Sequence, residues 1–418
     1  MEILSTGQKI KRARIYKGIT LKELCKDKIS ISKMSCIENG KVKADNDTIR
    51  YISDIIQVDY NYLIQDIYDQ IFNNLQSIKV GNAVGKQLED NININLGYAI
   101  EYEYYDLALE LTHILFKYYM DIKDEKKCEN LIPKYYRVYQ KYNCNKATIT
   151  YYLDIAKYLT DKKEYYEAIV YYSRLRELNI IDKDNEKKLL CEVKLKEAVC
   201  YINLGQYQEA FELLDSIINC DIVDEYKFSD VYHYYSIVLI LLEKGDARKY
   251  INKYYKLVSD DITKLAYAKE RISKAFFESG NKEEALIEVH EAIKSFPEDD
   301  KELSVDFINT CIEDLLIFSE YEEALELVEK NLNNAISVNN IKLIEKAYYL
   351  KGMILNRLGK IEDAEMYLNL SLDSLYKFGT KKERCERYID MAYLYYKLGN
   401  YKDSVKYFNL SVEIEKAM

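Results

Sequence analysis

The sequence predicts an all-α chain: a compact N-terminal domain of five short helices followed by a long array of helical hairpins. Three observations predict it. The 418 residues include only 2 Pro and 13 Gly, too few breakers for anything but nearly continuous helices joined by short turns. A turn followed by a small residue recurs six times beyond residue 160. The first 65 residues carry helix caps and stops at spacings that suit helices of one to three turns.

Composition narrows the classes. An ordinary apolar share of 48% allows a sizeable core. The 43 Tyr against no Trp suit helix surfaces that pack the ring and leave the hydroxyl wet. The net charge of −10 is uneven, since residues 1–65 hold 12 Lys+Arg against 8 Asp+Glu. A basic head on an acidic body fits a head that meets phosphate and a body that does not lie along nucleic acid. Nine Cys without a C-x-x-C pair, and three His (His113, His233, His290), give no zinc pattern. Packed, reduced thiols in a cytosol are expected, with no metal and no cofactor. No apolar run approaches the roughly 20 residues of a membrane span, and no signal peptide is read. A cytoplasmic location without membrane attachment is therefore expected.

The head is read in order. A first helix runs from about Thr6 to Tyr16, with Ile10 and Ala13 inward and Lys9, Lys11 and Arg12 outward. Gly18 stops it. Thr20 caps the second helix in a capping box with Glu23, and Leu24 and Cys25 are its buried residues. After a turn at Asp27-Lys28, Ser30 caps the third. Met34 and Ile37 face inward from it, while Ile31, Ser32, Lys33, Ser35 and Cys36 lie on or near the open face. Asn39-Gly40 ends it. A fourth helix from about Asp47 uses Ile49, Ile52, Ile55 and Ile56, and a fifth at Tyr60–Ile64 closes the core with Leu63. The stretch Ile29–Lys41, ISISKMSCIENGK, begins and ends as the recognition helix of a compact helix-turn-helix domain does.

The order Ile10, Arg14, Gly18-Ile19-Thr20, Leu24, Ser30, Ile37-Glu38-Asn39-Gly40-Lys41 resembles the phage-repressor-like (XRE) helix-turn-helix family over the first 65 residues. The resemblance implies that Arg14 pairs with Glu38, a bidentate ion pair that would lock the first helix to the end of the third. It implies that the third helix enters the major groove. Ile31, Ser32, Lys33 and Cys36 would then read bases, and Thr20, Ser30, Ser35, Asn39, Lys41 and Lys43 would hold phosphate. Leu21 departs from the family, which usually has Gln there. The reading helix is also poor in the Arg, Gln and Asn that make bidentate base contacts. Modest intrinsic affinity and a homodimer are expected on a double-stranded operator.

Residues 66–94 read as a linker helix and hinge: helical at Ile67, Ile71, Leu75 and Ile78, then loosening at Gly81, Gly85 and the Asn-rich stretch after Asp90. Residues 95–418 read as repeats. Leu204-Gly205-Gln206-Tyr207-Gln208-Glu209-Ala210 matches Leu358-Gly359-Lys360-Ile361-Glu362-Asp363-Ala364 and Leu398-Gly399-Asn400-Tyr401-Lys402-Asp403-Ser404. Further copies end at Ala168, Ala285 and Ala324, and the six small residues are 42, 75, 39, 40 and 40 positions apart. The long gap spans a degenerate copy near Lys244-Gly245-Asp246, and weaker pairs lie around Ala108 and Tyr135. The pattern resembles tetratricopeptide repeats, with helices longer than that family's period of about 34 requires. It implies a right-handed superhelix whose concave face is lined by the first helix of each pair.

Head and repeats together resemble the peptide-pheromone regulators of the Rap, Rgg, NprR, PlcR and PrgX type. That resemblance implies a short linear signalling peptide in the concave groove, a homodimer presenting two heads to DNA, and control of sporulation- or toxin-type genes. Aligning each copy on its turn points Asn203, Tyr235, Tyr267, Lys274, Asn309, Tyr349, Asn356, Arg357 and Tyr393 toward the groove. An Asn amide can satisfy both N–H and C=O of an extended peptide, Tyr offers an apolar wall with a polar tip, and Lys or Arg can hold a terminal carboxylate. Two rivals stand beside this. An enzyme would need a nucleophile with a base or paired acids, but the Glu pairs at 283–284 and 322–323 suit helix N-termini and the three His show no partner in sequence. The other rival is a scaffold that sequesters a response-regulator or phosphorelay protein.

Overall fold

The computed structural model describes residues 3–81, 85–178, 183–218, 229–297 and 299–417. Among the described residues it has 23 helices and no strand. It divides into two compact units, Met1–Cys200 and Tyr201–Met418.

The first unit opens with α1 (Thr6–Tyr16), α2 (Leu21–Cys25), α3 (Ile31–Glu38), α4 (Asn46–Ile56) and α5 (Tyr60–Ile64). Local chemistry sets their starts. Ser5 and Gln8, and Thr20 and Glu23, form capping boxes, while Ser30 and Asp45 cap α3 and α4. Gly18 ends α1 with φ +68°, a left-handed conformation that costs a non-glycine residue about 1–2 kcal/mol. Ile10, Leu24, Met34, Ile37, Ile52, Ile56 and Leu63 fill the core. Gly7 lets α1 and the end of α3 meet, since a Cβ there would lie 2.0 Å from the Ile37 carbonyl oxygen.

Lys9 corrects the outward reading of its side chain. It is 1% exposed, and its ammonium donates to the Tyr62 and Gln65 carbonyls at 2.7 and 2.8 Å. Those carbonyls lie at the C-terminal end of α5, where a cation satisfies orphan acceptors and the helix dipole together.

α6 (Ile67–Val80) and α7 (Lys86–Glu101) follow. The expected loosening after Asp90 does not occur: Ile92, Leu96 and Ala99 are fully buried with Ile71 and Leu75. The apolar period of 3.6 outweighs the poor helix propensity of the intervening Asn. Asn82, Ala83 and Val84 of the expected hinge lie outside the described residues. Ile3 is buried in this same cluster, and the Gln70 side chain both accepts from Leu4 N–H (3.2 Å) and donates to Leu4 C=O (2.8 Å). The segment before α1 is thereby tied to α6. α8 (Tyr105–Asp121), α9 (Glu125–Tyr142), α10 (Asn145–Asp161) and α11 (Tyr165–Arg176) continue as hairpins, and α12 (Lys183–Asn203) carries the boundary between the units.

The second unit contains α13 (Tyr207–Ile218), α14 (Asp230–Leu241), α15 (Ala247–Leu257), α16 (Ile262–Glu278), α17 (Lys282–Ser295), α18 (Lys301–Ile317), α19 (Tyr321–Val338), α20 (Ile341–Arg357), α21 (Ile361–Leu375), α22 (Lys381–Lys397) and α23 (Tyr401–Lys416). One turn chemistry recurs between paired helices. Gly280, Ser319, Gly359 and Gly399 take φ between +66° and +80°. The amide that follows each donates five residues back, as Asn281 to Phe276, Glu320 to Leu315, Lys360 to Leu355 and Asn400 to Tyr395. This is the Schellman closure, which satisfies carbonyls a helix end would otherwise orphan. The small residues Ala210, Ala285, Ala324 and Ala364 are fully buried. Ser404 is half-buried and donates to the Ala392 carbonyl at 2.9 Å. Helices of 14 to 18 residues from α16 to α23 account for the long period.

Candidate nucleic-acid interface and first-helix face

In the head, α3 is held from behind and open in front. Arg14 grips Glu38 through Nε–Oε1 (2.6 Å) and Nη2–Oε2 (2.9 Å) and donates from Nη1 to the Ile19 carbonyl (3.0 Å). Glu38 is buried, and the charge-assisted bonds raise the Arg14 pKa above its ordinary value. Met34 and Ile37 anchor the inner face. On the outer face Ile31 is 50% exposed, and Ser32 and Lys33 are exposed beside it. Lys33 reaches Asp45 at 3.5 Å, with both groups in solvent, where such a pair contributes little. Ser35 and Cys36 are half-buried. Lys41 and Lys43 are exposed. Ser30 accepts from Lys33 N–H (3.1 Å), and Asn39 donates to the Ser35 carbonyl (2.8 Å).

Thr20 needs a correction. Its hydroxyl donates to the Glu23 carboxylate (2.7 Å) and accepts from Glu23 N–H (3.2 Å). A phosphate approaching Thr20 would meet that carboxylate, whose pKa is lowered first by the bond from Thr20 N–H (2.7 Å) and then by that from the Thr20 hydroxyl.

In the second unit, side chains tie successive first helices together. Arg271 of α16 donates to the Tyr234 hydroxyl of α14 at 3.3 Å. Lys274 of α16 sits between Glu270 (2.5 Å) and Asp314 of α18 (3.0 Å). Lys346 of α20 pairs with Glu313 of α18. Tyr349 of α20 donates to Asp390 of α22 (3.0 Å) beneath the Arg387 guanidinium, 3.2 Å from its ring centre, and Arg387 also reaches Glu345 (3.2 Å). Lys397 of α22 donates to Asn356 of α20 at 2.9 Å. Burial and the neighbouring Glu270 push the Asp314 carboxyl up to about 8, and burial also raises Asp390.

The nine residues aligned toward a groove therefore divide. Tyr267 and Tyr393 (67% exposed), Arg357 and the half-buried Asn356 lie on the open side of their helices. Asn203 is exposed at the end of α12. Tyr235 is corrected: it is 6% exposed, stacked on Phe211 and bonded to Asp215 at 2.8 Å. Asn309 is corrected likewise, since it is 1% exposed and accepts from Asn331 of α19 at 2.9 Å. Each points between helices, because a stacked first helix packs against its own partner and both neighbours and leaves only a narrow open stripe. Lys274 and Tyr349 are on the face but already hold partners. Arg271 and Glu278 share that stripe with Tyr267 and Lys274 at i, i+4, i+7, i+11 spacing; they were missed, although the spacing alone could have found them. The acidic partners on the neighbouring helices could not be found that way.

Two of the three histidines meet a carboxylate, and the third is a packed helix residue as its sequence neighbours suggest. His113 Nδ1 lies 2.5 Å from Asp154, which also accepts from the Tyr135 hydroxyl at 2.7 Å. His290 lies 3.1 Å from Glu323. His233 is buried, and desolvation lowers its pKa to about 3, keeping it neutral. Among the described residues, no three His, Cys, Asp or Glu side chains group as a metal site, and no helix is long and apolar enough to cross a membrane.

Tetratricopeptide-repeat family models match residues 192–219, 345–374 and 386–418. These segments carry Ala210, Ala364 and Ser404, the small residues of three of the six copies read from sequence. No curated protein matches the chain. Solved structures similar to it include the apo quorum sensor NprR from B. thuringiensis, at 15% identity and TM-score 0.44, covering 83% of this chain and 97% of that one. A Rap protein complexed with competence and sporulation factor aligns at 14% and 0.43, covering 84% and 96%. Bacillus thuringiensis PlcR in complex with the peptide PapR7 and DNA aligns at 16% and 0.26, covering 89% and 95%. At these values the likenesses carry no functional argument. Over its matched segments, the chain is similar to tetratricopeptide repeats.

Proposed function

We propose that the chain is a cytoplasmic transcription regulator whose head binds a double-stranded operator and whose first-helix face, the concave side of a right-handed superhelix, takes a short signalling peptide. The single observation that carries this is α3: capped by Ser30, locked from behind by Arg14–Glu38, and presenting Ile31, Ser32 and Lys33 to solvent. A helix held rigidly with polar and basic residues at its exposed N-terminal end suits a major groove. The excess of Lys and Arg in residues 1–65 supports the same reading. Ser30, Ser35, Asn39, Lys41 and Lys43 hold phosphate, and Cys36 lies at the margin of the reading surface. Binding as a homodimer offsets a reading helix poor in bidentate donors. The family resemblance supports control of sporulation- or toxin-type genes and a role without catalysis.

The peptide would lie against Tyr267, Asn356, Arg357 and Tyr393, exchanging some ties between first helices for its own. Selection of bound fragments from a random duplex pool tests the head. The full chain is expected to enrich one motif that a Ser32→Ala, Lys33→Ala variant does not. If neither chain enriches a motif, or both enrich the same one, the reading fails. A scaffold that acts only by sequestering a response-regulator protein would give the first of those outcomes.

A further inference from the structure

The first unit holds a cavity of about 320 Å³ that neither surface above uses. Its walls are tyrosines from three consecutive helices: Tyr136 and Tyr139 of α9, Tyr151 and Tyr152 of α10, and Tyr171 of α11. Tyr139 and Tyr151 lie parallel with centroids 4.8 Å apart. Tyr152 meets Tyr171 edge-on at 5.4 Å. The wall is braced from behind, because buried Tyr135 packs edge-on against Tyr151 at 5.0 Å while Asp154 holds its hydroxyl. A tyrosine cluster that served only packing would close on itself. This one leaves a hollow open to solvent on one side, where Tyr136 is 45% exposed, with a volume at the lower end of the range small-molecule sites occupy, about 300–1,000 Å³.

The one charged group at the cavity is a cation, Arg174, beside the neutral amides of Gln140 and Asn143 and the phenols. Gln140 donates to the Tyr136 hydroxyl at 2.7 Å. Arg174 of α11, exposed at the rim, forms no ion pair among the described residues. No carboxylate lines the cavity. The site thus offers aromatic faces, phenolic hydroxyls and one uncommitted guanidinium. These complement a flat ring carrying a negative group: the ring against the tyrosine faces, the anion on the planar fork of the arginine.

We propose that this cavity binds a small aromatic carboxylic acid, with its carboxylate on Arg174. The test is calorimetric titration of the full chain with three probes. 4-Hydroxybenzoate has ring and charge, cyclohexanecarboxylate has the charge without an aromatic face, and 4-hydroxybenzamide has the ring without the charge. The first is expected to saturate, and each of the others to bind about tenfold more weakly or worse. Arg174→Gln, an exposed change that leaves the core intact, is expected to bring 4-hydroxybenzoate down to the amide. Tyr152→Leu is expected to erase its advantage over the cyclohexane acid. No saturation by any probe at millimolar concentration would overturn the proposal, as would undiminished 4-hydroxybenzoate binding by Arg174→Gln.

Discussion

The outer face of α3 and the first-helix face of the second unit use polar residues in opposite ways. On α3 and the loop after it, the side chains of Ser32, Lys41 and Lys43 stand in solvent without hydrogen-bond or ion partners among the described residues, beside the exposed Ile31. On the first helices, Lys274 is engaged by Asp314, Tyr349 by Asp390, Arg387 by Glu345 and Asn356 by Lys397. The first surface can meet a ligand with its donors ready. The second is self-satisfied, so a ligand gains only by offering more than the ties it displaces. A face suited to peptide by residue type can thus be closed by its own pairing, and rigidity behind a surface matters as much as exposure in front.

Removing the brace should have the largest effect. Glu38→Ala strands a partly buried guanidinium and is expected to destabilise the head by about 3–5 kcal/mol, read as early loss of α1–α5 amide protection while the second unit keeps its own. A loss below about 1 kcal/mol would sink the view that this pair holds α3. Gly352→Ala tests the second unit. Its Cβ would lie 2.7 Å from Leu368 Cγ, and such overpacking costs about 1–3 kcal/mol. Urea unfolding of that unit, with the head's signals unchanged, is the measurement.

Asp314 makes the first-helix face pH-sensitive. Its folded pKa, about 8, lies above the unfolded value of about 3.9. The folded state therefore keeps a proton that the unfolded state releases, and stability falls as pH rises from about 4 through about 8. Asp314→Asn is expected to flatten that fall, raising Tm at pH 9 by about 3 °C or more relative to the natural chain with little change at pH 4. Equal shifts at both pH values would show that Asp314 titrates normally. The smallest effect concerns Ser319, a non-glycine residue at φ +66° where Gly280, Gly359 and Gly399 occupy the equivalent turns. Ser319→Gly is expected to gain about 1 kcal/mol, and a loss would mean the side chain has a role beyond the turn.

The caps, the glycine stop at Gly18 and the repeat period were legible because each is written in a few neighbouring residues. Lys9 was not, since the carbonyls that bury it come from Tyr62 and Gln65, more than fifty positions away. The stretch after Asp90 misled because local Asn propensity was set against the apolar spacing of Ile92, Leu96 and Ala99, and burial won. Tyr235 and Asn309 misled through angle: a turn fixes where a helix starts, but its neighbours decide which stripe stays open. The carboxylates Asp154 and Asp314, which meet His113 and Lys274, lie on neighbouring helices about forty residues on, so neither contact could be seen in sequence.

The most direct measurement is a titration of the full chain against the duplex upstream of its own gene at two salt concentrations, beside a Lys33→Ala, Lys41→Ala variant. The account predicts specific binding that weakens as salt rises. The variant is expected to bind less tightly and with a shallower salt dependence, lower by about one unit of slope for each phosphate it no longer neutralises. Binding by the variant with unchanged affinity and slope, or no specific binding by the intact chain at low salt, would contradict it.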